Sequence, residues 1–154
     1  MLGNAEVLTA LQAALPLEAQ LNEQYRADWR SLKFIGVKKL AKVIHEFGDD
    51  AACWRRKVQD RILFLGGDIS VTIPVVVEAR GVADCLRAEL KLELAIVAPY
   101  EQSVQTAMQA LDDTTRNLFE HLLKWHEKHV GWLEQQLRLI EALGQNDYIA
   151  EKLG

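Results

Sequence analysis

The chain has 154 residues, with 18 Lys and Arg against 22 Asp and Glu and a formal net charge of −4. That length suits one domain with a sizeable core, and the mild acidity, without a Lys/Arg cluster, argues against a dedicated nucleic-acid binder. Only three prolines and nine glycines among abundant Leu, Ala, Glu and Gln favour an all-helical protein.

Cys53 and Cys85 form neither a CxxC motif nor a disulfide framework, so reduced thiols and a cytoplasmic location are expected. The start, Met1-Leu2-Gly3-Asn4, lacks the basic and apolar regions of a signal peptide. No apolar run approaches membrane-spanning length, so no membrane partner is expected.

Four stretches carry apolar residues at helical spacing. The first runs from Asn4 to Phe34, with the stripe Leu8, Leu11, Leu15, Glu18, Leu21, Tyr25, Trp29 and Leu32; Pro16 should bend it and Gly36 end it. The second begins at Val37, follows Leu40, Ile44, Phe47, Ala51, Trp54, Val58, Ile62 and Leu65, and stops at Gly66-Gly67.

From Gly67 to Arg80 the pattern changes. Val71-Thr72-Ile73-Pro74-Val75-Val76-Val77 is β-branched and broken by proline, but a single strand in a helical chain has no partner. It is read as an extended crossover on the outside of a bundle. The third helix starts near Gly81 and carries Val82, Leu86, Leu90, Glu93, Val97, Tyr100, Val104 and Met108. Leu111 to Thr114 supply a turn and an N-cap. The fourth stripe reads Phe119, Leu122, His126, His129, Leu133, Leu137 and Ile140, and Asn146 to Leu153 can form a short fifth helix. Two helical hairpins joined by one long crossover make an all-α, ferritin-like four-helix bundle, a single domain over residues 1–154.

Each stripe is interrupted near mid-helix: by Glu18, by Ala51 and Trp54, by Glu93, and by His126 and His129. Antiparallel hairpins bring such positions to similar heights, and buried polar groups need partners. Di-iron carboxylate bundles place there one Glu from each of two helices and a Glu-x-x-His pair from each of the others. This chain has both lone glutamates, but its fourth helix reads His-x-x-His and its second Ala-x-x-Trp. Two readings stand: Glu18, Glu93, His126 and His129 bind a metal, or they hydrogen-bond among themselves as a buried polar cluster.

The segments Glu23-Gln24-Tyr25, Gly36-Val37-Lys38-Lys39-Leu40, Asp60-Arg61-Ile62-Leu63-Phe64-Leu65, Leu90-Lys91-Leu92-Glu93-Leu94 and His129-Val130-Gly131-Trp132-Leu133-Glu134 carry a resemblance to bacterioferritin over nearly the whole chain. The resemblance implies a twenty-four-subunit cage that stores iron, a ferroxidase site in each bundle, and haem between paired subunits. Of the family's six di-iron ligands, Glu18, Glu93 and His129 match in type. The other three fall on Ala51, Trp54 and His126. A dinuclear centre is therefore not expected; a single iron or other transition metal on Glu18, Glu93, His126 and His129 stays open beside the metal-free cluster. Tyr25 matches a tyrosine near the family's iron site, with core packing as its simpler role.

The haem-ligand methionine of the family falls on Ala52, and the surrounding positions are Ala19, Asn22, Glu23, Arg26, His45 and Asp49. Haem is not expected from that polar set, although His45 could in principle ligate it. Glu46 and Asp50 could gather iron inside a cage or simply face solvent, Trp125 replaces a family carboxylate, and His121 reads as surface. The functional expectations are an iron-storing cage subunit without a normal ferroxidase centre, alone or co-assembled with a competent subunit; a structural cage or interaction protein; or a mononuclear metal enzyme. No catalytic residue is assigned.

Overall fold

The computed structural model describes residues 3–70, 75–78 and 81–154. The helices are α1 (Ala5–Phe34), α2 (Lys38–Phe64), α3 (Val82–Gln109), α4 (Asp113–Leu143) and α5 (Gln145–Glu151). No strand occurs among the described residues. α1 packs mainly on α2, α3 mainly on α4, and α1 joins the two pairs through α3. This is the expected four-helix bundle with a long crossover and a short fifth helix.

Capping explains where the helices begin. Asn4 Oδ1 accepts from the backbone N–H of Glu6 at 2.9 Å and of Val7 at 3.2 Å. Asp112 caps α4, accepting from Thr115 N at 3.0 Å and Thr115 Oγ1 at 2.6 Å, and pairs with Arg61 of α2 at 2.8 Å. α2 has no side-chain cap. Its first N–H groups donate instead to the far end of the chain: Lys39 N to Lys152 O at 2.9 Å and Lys38 N to Leu153 O at 3.4 Å. The fifth helix thus completes the second. Gly36 (φ +90°) and Gly66 (φ +83°) close α1 and α2 in a backbone region that favours glycine. Pro16 lies inside α1 on its exposed side, and α1 continues through it.

All four stripes need correction. On α1, Val7 and Asp28 are buried while Leu8 and Trp29 are half-buried, and on α2, Gly48 is buried while Phe47 and Trp54 are half-buried. On α3 the buried face is Val82, Leu86, Glu89, Glu93, Ile96, Tyr100, Ser103 and Ala107. Leu90, Val97 and Val104 flank it, and Met108 is exposed. A helix faces its core by geometry rather than by the most apolar residue available, so the true face includes a carboxyl where a leucine had been assigned. On α4, Gln136 is buried and Leu137 only partly so, because the Tyr148 hydroxyl of α5 donates to Gln136 Oε1 at 2.7 Å.

The crossover lies against the outside of α1. Gln24 Oε1 accepts from Val77 N at 2.9 Å, its Nε2 donates to Val77 O at 3.0 Å, and Gln20 Nε2 donates to Val75 O at 3.2 Å. Residues 71–74 and 79–80 of the expected crossover lie outside the described residues.

Replacing Asn4 with Ala removes the acceptor shared by two amide donors and should cost about 1 kcal/mol. Denaturant unfolding of Asn4→Ala beside the parent measures it; unchanged stability would show that water caps the helix equally well.

Candidate metal centre

Four buried side chains meet inside the bundle: Glu18 of α1, Glu93 of α3, and His126 and His129 of α4. His126 lies between the carboxylates. Its Nδ1 is 2.7 Å from Glu93 Oε2 and its Nε2 is 2.6 Å from Glu18 Oε1. Carboxylates only accept, so each ring nitrogen must carry a proton, and the ring is an imidazolium. His129 Nδ1 donates to Glu93 Oε1 at 2.5 Å, and the Tyr25 hydroxyl donates to the same oxygen at 2.6 Å. The Tyr100 hydroxyl donates to Glu18 Oε1 at 2.8 Å. Glu18 Oε2 and His129 Nε2 have no partner.

Burial alone would depress the His126 pKa, but the charges and hydrogen bonds of Glu18 and Glu93 outweigh it and raise the value to about 10. Burial likewise favours a neutral Glu93, yet hydrogen bonds from His126 and His129 hold its carboxyl below the usual range. Burial, reinforced by the neighbouring carboxylates, pushes Tyr25 and Tyr100 well up, so both remain neutral donors. Glu93, His126 and His129 can each turn a donor atom to within 4.8 Å of the others, a spacing that admits one metal ion.

Aromatic rings enclose the histidines. Phe47 stacks on His129 with centroids 3.7 Å apart and planes 14° apart, and Trp125 lies 3.9 Å from the same ring. Trp54 meets Trp125 at 6.1 Å and the exposed His121 at 6.3 Å. The indole beside the histidines is therefore Trp125. Ala51, fully buried, brings no oxygen from α2.

The remaining expected residues divide. Tyr25 does bond the cluster; Tyr100, expected only as packing, bonds it too. Glu46 is exposed, and Asp50 is half-buried with its pKa raised by burial. Ala19 is buried and does not line the groove beside Ala52, whereas Asn22, also buried, does line it; its Nδ2 donates to Gly48 O at 2.9 Å and holds α1 against α2. The groove bordered by Arg26, Trp29, His45, Asp49 and Ala52 encloses about 130 Å³. There His45 contacts Asp49 at 3.6 Å and lies 4.5 Å from the Trp29 ring. The sequence reading missed Glu89 and Asp28, both buried, because the first was displaced by one position on α3 and the second lies off the assigned α1 stripe.

This bundle, with its buried carboxylate–histidine layer, defines a ferritin-like protein, and the comparisons agree: the ferritin-like domain family matches residues 8–143, and the chain belongs to that family. Its similarity extends to bacterial ferritin of Neisseria meningitidis serogroup B, 30% identical over 154 residues, covering 99% of this chain and 100% of the relative. Bacterioferritin of Brucella melitensis is 31% identical over 150 residues, covering 96% of this chain and 92% of the relative. Among the described residues, no helix is long and apolar enough to cross a membrane.

The raised His126 pKa sets a pH dependence. The proton is bound in both folded and unfolded chains below the ordinary value of 6.5, so the stabilisation is complete there. It is lost as the pH rises through about 10. Unfolding free energy should therefore fall from neutral to alkaline pH more steeply in the parent than in His126→Gln, by on the order of a few kcal/mol. Parallel slopes in the two proteins would contradict an imidazolium at this position.

Proposed function

We propose that the chain is a cage-forming subunit of the bacterioferritin type that serves cytoplasmic iron storage without dinuclear ferroxidation of its own. The observation that carries this reading is the His126 bridge between Glu18 and Glu93. Two cations held close together need bridging carboxylates; here Ala51 and Trp54 supply none from α2, and an imidazolium lies between the two carboxylates that remain. The residues do not fit a dinuclear centre.

They do fit a single ion. Glu93, His126 and His129 form a nitrogen–oxygen donor set suited to iron, zinc or manganese. Glu18 holds His126 from its other side. An entering metal must displace a proton from His126, so loading competes with protons. Storage then relies on the inner surface, with the exposed Glu46 and the half-buried Asp50 of α2, or on a competent subunit in a mixed cage. The full pairing of His126 without metal favours a second reading, a cage subunit with a structural role and no iron chemistry of its own.

Ala52 offers no haem ligand, and His45 is already engaged by Asp49 and Trp29. Light scattering on purified protein should report one large closed assembly, with twenty-four subunits expected, and its absorption should lack a Soret band after expression with ample haem. A monomer at micromolar concentration would reject the cage, and a Soret band lost in His45→Ala would reject the absence of haem.

Titration with Fe(II) under oxygen tests the inner site. Rapid oxidation saturating at two irons per subunit should be absent, and metal tightly held by the histidine layer should number at most one ion and leave on His129→Ala. A fast phase of two irons per subunit would overturn the reading. A metal-free parent in which His129→Ala only loses stability would favour the structural role.

A further inference from the structure

Six of the 18 Lys and Arg fall between Arg26 and Lys42, where the one acid, Asp28, is buried. Spread over the end of α1 and the start of α2, they make no long run in the sequence, but the helical hairpin brings three of them to one pocket. Lys33 of α1 and Lys38 and Lys42 of α2 line a cavity of about 250 Å³, together with Trp29, Ala41 and His45. Among the described residues, no carboxylate pairs with Lys33, Lys38 or Lys42. His45 alone of this set has an acidic contact, Asp49 at 3.6 Å.

The placement of these cations works against the fold. Lys38 and Lys42 repel each other one turn apart on one helix face. Lys38 and Lys39 stand in the first turn of α2, the end of a helix that disfavours cations, and no acid shares that turn. On α1, Arg30 and Lys33 both lie over the Trp29 ring, 5.2 and 5.4 Å from its centre. A chain of net charge −4 has acids available, yet none lines this pocket. Local rules broken without compensation mark places where a site needs them broken.

We propose that this pocket binds a phosphoryl anion of two or more phosphate groups. Lysine meets phosphate as a point charge. Three ammonium groups call for about three negative charges, and two phosphoryl groups carry roughly 1.5 to 2 each. The cavity is several times the ~30 Å³ share of one water, which leaves room for more than one tetrahedral oxyanion. Trp29 is engaged by Arg30 and Lys33 and by the His45 ring, 4.5 Å away. Recognition therefore runs through the phosphate chain, free or carried by a nucleotide, rather than through a stacked base. No bond forms or breaks, and the site does not depend on the storage reading.

The test is calorimetric titration of the full-length protein with pyrophosphate in metal-free buffer, beside its Trp fluorescence. Binding should saturate at one anion per subunit, weaken as salt is raised, and change the fluorescence as Lys33 turns from the Trp29 ring to the anion. In Trp29→Phe the binding should remain while that change disappears. Lys38→Gln combined with Lys42→Gln should bind about 10-fold more weakly, through loss of two charge-assisted contacts. The double change also relieves a repulsion, so the variant should be at least as stable as the parent, and lost binding is then not lost folding. Lys57→Gln, whose ammonium lies over Trp54 at 5.6 Å, should bind like the parent. Equal affinity for tripolyphosphate and a nucleoside triphosphate would show that the free chain suffices, and a tighter nucleoside triphosphate would name the nucleotide as its source; both keep the site. No saturable binding, unchanged affinity in the double lysine variant, or binding of nucleic acid or an acidic protein where pyrophosphate fails would overturn it. No metal ion takes part, so these outcomes are distinct from those of the iron titration.

Discussion

Glu18 and Glu93 are both fully buried, and a carboxylate stripped of water is among the most costly groups a core can hold. His126 compensates both at once, one through each ring nitrogen. That double bond fixes the relative heights of α1, α3 and α4, since a shift of any one helix would break a charge-assisted hydrogen bond. Tyr25 and Tyr100 complete the layer from α1 and α3 by donating to Glu93 and Glu18. An ionised ring between the two carboxylates lets the chain meet part of that cost with a charge of its own, while Glu18 Oε2 and His129 Nε2 stay unpartnered.

Two buried carboxyls one turn apart on α3 are treated differently. Burial favours a neutral Glu93, yet hydrogen bonds from His126 and His129 hold it below its ordinary range. Glu89 has no such donor, and burial drives it well above. The half-buried Arg61–Asp112 pair is a third case, in which the carboxyl keeps water access, caps α4 and is held low by Thr115 and Arg61. Charge partner and burial, rather than residue type, decide what each carboxyl does.

Backbone requirements account for the parts outside the four stripes. α2 begins without a side-chain cap, and its first amides are met by the carbonyls at the end of α5. Residues 75–78 of the crossover have no strand partner among the described residues, so Gln24 meets both the N–H and the C=O of Val77 as a neighbouring strand would. The same amide also bonds the buried Asp28 one turn further along α1. The α2–α5 and Gln24–Val77 contacts link segments far apart in the chain, which is why neither feature has a local sequence signal.

What the sequence determined by itself is the architecture and the first polar layer. Periodicity marked four helices to within a residue or two of their ends, because an amphipathic stripe is a local consequence of helical geometry. Glu18, Glu93, His126 and His129 stood out because a polar residue on an apolar stripe is visible without knowing its neighbours. Only the tertiary structure decided how they pair: that His126 bridges two helices, that Trp125 rather than Trp54 lies against His129, and that Tyr100 is a donor. Glu89, Asp28 and Gln136 were hidden for a related reason. Each lies beside an apolar residue that fits the helical period as well as it does, and which of two adjacent positions turns inward is set by the packing of the other helices, not by the helix that carries them.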